Sequence, residues 1–371
     1  MRIGRRPSLG LITASLLLGA GAVPASAPAQ DNKGHPEIKV DDDGTLHVPE
    51  LTVPTSSFLT PEGKAFLTYQ LKSMKDPRSK ILPPGGELPF FMIPYLKSAE
   101  QMFKVDIKET KVAGIPAMVF TPKDGVKPEN RNRVLLNLHG GGFMGCYPGC
   151  GKLESMPLAA LGGYKVIMID YRQGLDHKFP EASEDVAKVY RELLKSYSPK
   201  RIGIYGCSAG GILVGQSLAW FDKEKLPMPG AAGIFCAGMT LSDVQFGGDA
   251  NFISAPFGEA QMPAEPPPPK GAGLPPIPYF NKVRYDDPLV APANSLELLA
   301  KFPPTLFITG NRAFDFSSAI YSHGRMVKAG AEADLHVWDG LFHGFFMNPA
   351  VPESQDAFDV MIKFFGKHLA R

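Results

Sequence analysis

Apolar and polar positions along the chain follow two periods. Short apolar runs, typical of buried strands, lie at 134–138, 165–171, 201–205, 233–239, 305–309 and 335–338, and two extended runs at 105–110 and 117–120 predict a hairpin. Around them, apolar residues recur at helical spacing, which predicts helices over 61–75, 181–197, 212–221, 317–329 and 354–369. Strands that alternate with helices in this way predict an α/β fold, in which a mostly parallel central sheet carries helices on both faces.

The first part of the chain does not follow this pattern. Arginines within residues 2–6 precede an apolar stretch over 9–23, and Ala27-Pro28-Ala29 follows it. A basic segment, a short apolar segment and small residues together predict a secretory signal peptide over 1–29, cleaved near Ala29. The paired arginines also allow twin-arginine export, although a short basic segment is the commoner interpretation. The mature protein is therefore expected in the periplasm or outside the cell, without a stable membrane anchor.

Two further segments interrupt the alternation. Residues 31–50 are polar and acidic and are predicted to be a flexible arm, so that the arm and the N-terminal helices together occupy 30–104 and the main domain 105–371. Residues 251–283 contain the proline run Pro266 to Pro269 and predict an irregular insertion. The insertion lies either at the mouth of a site or on the surface without a role.

Composition and charge exclude several classes of partner. The 371 residues include 39 basic and 37 acidic side chains, which gives a net charge of +2. Such a balanced charge argues against nucleic acid and anionic membranes as partners. The oligomeric state stays open.

Four cysteines bear on redox and metal chemistry. Cys146 and Cys150 are close enough in sequence to form a small disulfide in an exported protein. Spacing alone leaves the pairing open, because the bond also needs a suitable side-chain geometry. Cys207 and Cys236 are expected to be small buried residues. No histidine lies at zinc-ligand spacing near the first pair, so no metal site is predicted.

The segment Gly206-Cys207-Ser208-Ala209-Gly210 carries the strongest chemical signal. It follows a predicted strand and precedes a predicted helix, which is the setting of a G-x-S-x-G nucleophile elbow. In such a turn the serine hydroxyl stands exposed at the carboxyl end of the sheet, where ligands of α/β proteins bind. The alternative is a glycine-rich turn with an ordinary serine.

A second glycine motif lies earlier in the chain. His139-Gly140-Gly141-Gly142 follows the strand predicted at 134–138, and its backbone N–H groups are suited to bind a developing oxyanion. His139 itself is expected to have a structural hydrogen-bonding role. A flexible glycine loop is the alternative, and the elbow further along the chain favours the first interpretation.

In order along the chain, these motifs resemble the hormone-sensitive-lipase-like branch of the α/β-hydrolase esterases. The resemblance covers about residues 105–371 and also rests on Asp170-Tyr171-Arg172, His177 with Phe179-Pro180, Pro304-Thr305-Leu306, and Gly340 to Phe345. It implies that Ser208 is the nucleophile and that the N–H groups of Gly141, Gly142 and Ala209 bind the oxyanion. It also implies an N-terminal helical cap over the acyl pocket.

The chain departs from the family pattern at two places. Asp170-Tyr171-Arg172 is followed by Gln173 to Asp176 in place of the usual apolar-Ala-Pro-Glu run, a change expected to affect packing. The family acid position is held by Ala313, and Asp315 follows two residues later. The chain order Ser, Asp, His predicts His343 as the base and Asp315, after an apolar strand, as the acid. The competing carboxylates lie in less suitable places: Asp286, Asp287, Asp334 and Asp339.

Together these assignments predict an exported serine carboxylesterase. Its expected substrates are short- to medium-chain uncharged esters or lactones, hydrolysed through an acyl-enzyme with no cofactor. Two alternatives remain at this point: an amidase or peptidase that uses the same three residues, and a catalytically inactive homologue that binds small molecules.

Overall fold

The computed structural model describes residues 38–47, 52–76, 78, 88–241, 247–250, 253 and 277–370. The predicted signal peptide and most of the predicted insertion lie outside these residues. Backbone contacts divide the chain into two units, one up to Val53 and one from Pro54 onward. No helix in the described ranges has both the length and the apolar composition that crossing a membrane would require.

The first unit contains a short hairpin within the segment predicted to be a flexible arm. Strands β1 (Lys39–Val40) and β2 (Leu46–His47) pair in antiparallel register. The turn between them closes through a hydrogen bond from the Gly44 N–H to the Asp41 carbonyl at 2.9 Å. Aspartate and glycine favour such tight turns, so the acidic run has a local structural role.

The second unit is built around an eight-stranded sheet. Its strands are β3 (Val105–Val112), β4 (Ile115–Pro122), β5 (Val134–Leu138), β6 (Lys165–Ile169), β7 (Ile202–Cys207), β8 (Ala231–Phe235), β9 (Thr305–Gly310) and β10 (Ala333–Trp338). Their spatial order is β10-β9-β8-β7-β5-β6-β4-β3. Only the β3–β4 and β4–β6 pairs are antiparallel. This arrangement confirms the predicted mostly parallel α/β sheet.

Helices cover both faces of this sheet. They are α1 (Pro61–Ser73), α2 (Ile93–Met102), α3 (Gly149–Ala160), α4 (Glu181–Leu193), α5 (Ala209–Lys223), α6 (Leu296–Leu299), α7 (Phe316–Lys328) and α8 (Pro352–His368). Side chains of β5 alternate between two apolar cores: Leu136 and Leu138 pack in one with α4 and α5, and Leu135 in the other with α3 and α8. A strand buried on both faces is what a parallel sheet between helices requires.

Helix α3 is absent from the helices that the sequence predicts. Nearly all of its residues are buried, it contains Pro157, and it begins at Gly149. A helix buried all round has no polar face, so it lacks the periodic pattern by which a surface helix is recognised. The five helices that the sequence predicts are all present, and their ends differ from the prediction by a few residues.

Candidate functional site

Ser208 stands in the sharp turn between β7 and α5. Its backbone has φ +58° and ψ −124°, a conformation that costs a residue with a side chain steric strain. The Ser208 N–H donates to the Phe235 carbonyl at 2.8 Å, and the Ser208 carbonyl accepts from the Ile212 N–H at 3.0 Å. These two bonds hold the strained turn, and the Ser208 residue is only partly buried.

Gly210 lets α5 start directly against the end of β5. A Cβ atom at this position would lie 1.8 Å from the Leu138 carbonyl oxygen, far inside van der Waals contact. The closeness of helix and strand therefore depends on the absence of a side chain here. The result is that Ser208 and the segment after β5 lie side by side at the carboxyl edge of the sheet.

That segment, residues 139–145, is called the glycine loop below. Gly141 has φ +124°, and a Cβ there would lie 2.1 Å from the Gly145 carbonyl oxygen, so only glycine fits. A Cβ built on Gly140 would lie 3.4 Å from the Ser208 Cβ, which places the loop beside the serine. Among the described residues, the N–H groups of Gly141, Gly142 and Ala209 donate to no protein acceptor.

His139 anchors the base of the glycine loop. Its Nδ1 lies 2.7 Å from the Gly140 carbonyl oxygen, and its ring stacks on Tyr171 with centroids 4.7 Å apart. The Tyr171 hydroxyl donates to the His139 carbonyl at 2.7 Å. Burial lowers the pKa of His139 to about 4, so the ring is neutral at ordinary pH and holds the loop structurally.

Asp315 and His343 meet at the same edge of the sheet. His343 Nδ1 lies 2.7 Å from Asp315 Oδ1, and the Asp315 residue is fully buried. The Thr309 hydroxyl, near the end of β9, donates to Asp315 Oδ2 at 2.6 Å. The Phe314 ring stacks on the imidazole at 4.3 Å between centroids. Carboxylate, hydroxyl and aromatic ring together fix the orientation of the imidazole.

Asp315 lies at the N-terminal cap of α7, two residues beyond the buried Ala313. The Ala313 N–H donates to the Gly310 carbonyl at 3.1 Å in a turn that follows β9. The turn carries the chain so that the later residue, Asp315, reaches the imidazole. Asp315 thus contacts the imidazole from the start of α7, although it lies two residues after the position expected for the acid.

The competing carboxylates have other partners. Asp339 accepts from the Asn311 side chain and from the Ser56 hydroxyl. Asp286 pairs with the guanidinium of Arg284 at the surface. Of the remaining two, Asp287 accepts the Leu289 N–H at 2.8 Å, and Asp334 lies within β10.

Cys146 and Cys150 are joined by a disulfide bond directly after the glycine loop. Cys207 and Cys236 are free and buried, as expected. In the described part of the chain, no three His, Cys, Asp or Glu side chains are grouped as metal ligands.

The described end of the predicted insertion is part of the core. Tyr279 and Phe280 are buried, and the Tyr279 ring stacks on Phe143 at 4.8 Å between centroids. Both aromatics therefore support the glycine loop through its residue Phe143. The sequence did not reveal this role, because Tyr279 and Phe280 lie outside every predicted strand and helix.

Glu154 is the functional candidate that the sequence analysis missed. It projects from α3, is 3% exposed, and hydrogen-bonds to the glycine loop and to the serine turn. The available signal was an acidic residue within a mostly apolar segment, because a buried charge requires specific partners.

Comparison with known proteins identifies a family and several relatives of the chain. A family model described as alpha/beta hydrolase fold matches residues 135–347. An acetyl-hydrolase of Streptomyces hygroscopicus is 27% identical over 245 residues, which cover 63% of this chain and 76% of that protein. The carboxylesterase/phospholipase LipF of Mycobacterium tuberculosis is 28% identical over 238 residues, 61% of this chain and 60% of LipF. The match thus spans less than two thirds of LipF.

Solved structures show the same fold over most of the chain. Esterase E25 has a TM-score of 0.70 at 24% identity and covers 88% of this chain and 99% of its own. An esterase of the bacterial hormone-sensitive lipase family has a TM-score of 0.66 at 24% identity, covering 84% of this chain and 99% of its own. These structures confirm the predicted fold, and the family model confirms the predicted resemblance to the α/β hydrolases. The activities named for the relatives agree with the predicted enzyme class, carboxylic ester hydrolases.

Proposed function

The chain belongs to the alpha/beta hydrolase fold family, and from this membership we propose that it is a serine carboxylesterase with Ser208, His343 and Asp315 as its catalytic residues. One observation carries the proposal: the imidazole of His343 contacts the buried carboxylate of Asp315 at 2.7 Å, at the sheet edge where Ser208 stands on its strained turn. A nucleophile, a base and a group that orients the base are the parts that acyl transfer by serine needs.

The reaction starts with attack of the Ser208 oxygen on the ester carbonyl carbon while His343 Nε2 takes the hydroxyl proton. The Nδ1–H of the resulting imidazolium donates to the Asp315 carboxylate, which stabilises the positive charge. The carbonyl oxygen becomes an oxyanion, and the N–H groups of Gly141, Gly142 and Ala209 bind it. Each such donor contributes about 10²- to 10³-fold to the rate.

The intermediate collapses when His343 gives its proton to the departing alcohol, which leaves an acyl group on Ser208. A water molecule then attacks the acyl carbon, and His343 takes a proton from that water. The second oxyanion collapses with release of the carboxylic acid, and the proton returns from His343 to the Ser208 oxygen. No cofactor is needed in either half of the reaction.

The proposed substrates are short- to medium-chain uncharged esters or lactones. Phe143, Phe345, Phe346 and Met347 flank the site in sequence, but all four are packed in the apolar cores, and their burial does not indicate the length of an acyl group. Support for a short acyl group comes instead from the relatives, one of which is named an acetyl-hydrolase.

We also propose that the enzyme works in the periplasm or outside the cell. The basic and apolar pattern of residues 1–29 supports export. The disulfide between Cys146 and Cys150 supports an oxidising compartment, because such bonds are rare in the cytosol.

Hydrolysis of p-nitrophenyl esters from acetate to octanoate tests the proposal. Wild type is expected to act best on the shorter esters, and Ser208→Ala to lose at least about 10³-fold in kcat, since the attacking oxygen is gone. Ser217→Ala, a buried serine of the same helix α5, is the matched control and should keep its activity. Equal rates for wild type and Ser208→Ala would contradict the proposal. A parallel series of p-nitroanilides separates ester from amide preference.

A further inference from the structure

The carboxyl group of Glu154 connects three parts of the site. Its Oε1 accepts the Gly140 N–H of the glycine loop at 2.8 Å. Its Oε2 accepts the Cys207 N–H of the serine turn at 3.3 Å and the Asn137 side-chain amide of β5 at 2.8 Å. One side chain on α3 therefore bonds to elements that are far apart in the sequence.

Each backbone group that Glu154 binds lies one residue before a proposed catalytic group. Gly140 precedes Gly141, and Cys207 precedes Ser208. A Cβ built on Gly140 would lie 3.5 Å from Glu154 Oε1 and 3.4 Å from the Ser208 Cβ. The carboxyl group and the serine therefore both lie close to Gly140. The bonds of Glu154 set how far the loop lies from the turn.

An apolar side chain would fill the same space without the cost of burying a carboxyl group. The rest of the buried surface of α3 is mainly apolar, with Leu153 and Met156 among the core residues. Two buried polar residues interrupt it, Glu154 and Ser155, and Glu154 is the one whose oxygens reach the two N–H groups. These contacts indicate that Glu154 holds the N–H groups of Gly140 and Cys207 rather than simply filling space in the core.

From these contacts we propose that Glu154 is a positioning residue, which sets the distance between the Ser208 hydroxyl and the N–H groups of Gly141 and Gly142 by binding Gly140 and Cys207 with one carboxyl group. The inference rests on the proposed function, because it assigns those groups to the reaction. Oxyanion donors act only when they are held in place before the charge develops.

The charge state suits this role. Burial raises the pKa of Glu154 to about 8, although its hydrogen-bond donors and, more weakly, His343 act against that rise. Tyr171, Tyr205 and Cys207 also face the carboxyl group, and burial raises the pKa of each well above its usual range. Near neutral pH the carboxyl group is therefore mostly protonated, and it places no full negative charge behind the developing oxyanion.

The test uses Glu154→Gln, in which an amide keeps the shape of the side chain but retains a single acceptor oxygen. One of the two backbone N–H groups then loses its acceptor. We expect kcat for p-nitrophenyl acetate to fall about 10- to 100-fold with KM nearly unchanged, since a small displacement of catalytic groups has effects of this size. A trifluoromethyl ketone, to which the Ser208 oxygen adds to form an oxyanion while its proton moves to His343, should lose affinity by a similar factor.

Two further variants make the result decisive. Glu154→Asp keeps the carboxyl group on a shorter side chain and should also lower kcat, so it provides the test if the glutamine variant does not fold. Glu353→Gln is the matched control: Glu353 is also buried and accepts two hydrogen bonds from Thr60, which tie the segment before α1 to α8. It should lower the melting temperature without changing kcat.

The outcomes separate this inference from the function on which it rests. A wild-type protein inert toward esters and the ketone would contradict the proposed function. An active wild type with an equally active, folded Glu154→Gln would contradict only the positioning role. Equal losses of kcat in the Glu154 and Glu353 variants would also overturn the role, because general destabilisation would then explain both.

Discussion

Replacing Asp315 by asparagine keeps its volume and removes its charge. The native carboxylate accepts the Thr309 hydroxyl on Oδ2 and faces His343 Nδ1 with Oδ1. In Asp315→Asn the single oxygen satisfies the Thr309 hydroxyl, and the amide NH₂ faces the imidazole. The ring must then accept at Nδ1 and carry its proton on Nε2. A histidine in that tautomer cannot take the proton of Ser208.

The expected loss is about 10⁴-fold in kcat, the effect of the same substitution in serine proteases. That factor corresponds to about 5 kcal/mol in the activation free energy, at about 1.4 kcal/mol for each factor of ten. Full burial of Asp315 supports the complete loss, because water has no access to replace the carboxylate. Thr309→Val removes only the supporting hydroxyl and should cost about 10-fold, the value of one hydrogen bond.

Steady-state hydrolysis of p-nitrophenyl acetate by wild type, Asp315→Asn and Thr309→Val measures these losses. Thermal unfolding of each variant establishes that the protein is folded at the assay temperature. If folded Asp315→Asn keeps kcat within about 10-fold of wild type, Asp315 does not orient the base, and the assignment of the acid is wrong.

Gly210→Ala should destabilise the protein by more than about 3 kcal/mol or prevent folding, because its Cβ would meet the carbonyl at the end of β5. Gly324→Ala, at an open helical position, should stabilise it slightly, and similar unfolding curves for the two variants would refute the clash. Changing Cys146 and Cys150 together to serine should lower the free energy of unfolding by about 2 kcal/mol in urea; an unchanged midpoint would show that the disulfide does not stabilise the fold. Burial raises the pKa of Glu154 to about 8 in the folded protein, whereas the unfolded chain loses this proton near 4.5. Wild-type stability should therefore fall between those pH values by about 1.4 kcal/mol per pH unit. Glu154→Gln should lack this contribution, and identical pH slopes of stability would contradict it.

The sequence was sufficient to predict the sheet, and local signals in it led to two of the proposed catalytic residues. Buried strands such as β5, in which Asn137 is the one polar residue, are short and mostly apolar runs, a pattern that predicts buried strands. Ser208 was proposed because a strand, a glycine turn and a helix follow one another locally. His343 was proposed from its position after the last strand. These signals lie within a few residues of the group that they identify.

Signals that depend on distant contacts were not visible. Asp315 was chosen by elimination, and only the folded turn after β9 shows that its carboxylate reaches the imidazole. Glu154 was missed because its partners are backbone N–H groups of Gly140 and Cys207, which every residue except proline carries. Helix α3 was missed for a related reason, since complete burial removes the periodic contrast between apolar and polar positions.

A crystal structure of the protein treated with a p-nitrophenyl phosphonate ester tests the central assignment most directly, because the tetrahedral phosphorus imitates the intermediate of ester hydrolysis. The account predicts that phosphorus is bonded to the Ser208 oxygen, with His343 adjacent. It also predicts a phosphoryl oxygen about 3 Å from the N–H groups of Gly141, Gly142 and Ala209. An unmodified Ser208, or an adduct whose oxygen points away from the glycine loop, would contradict it.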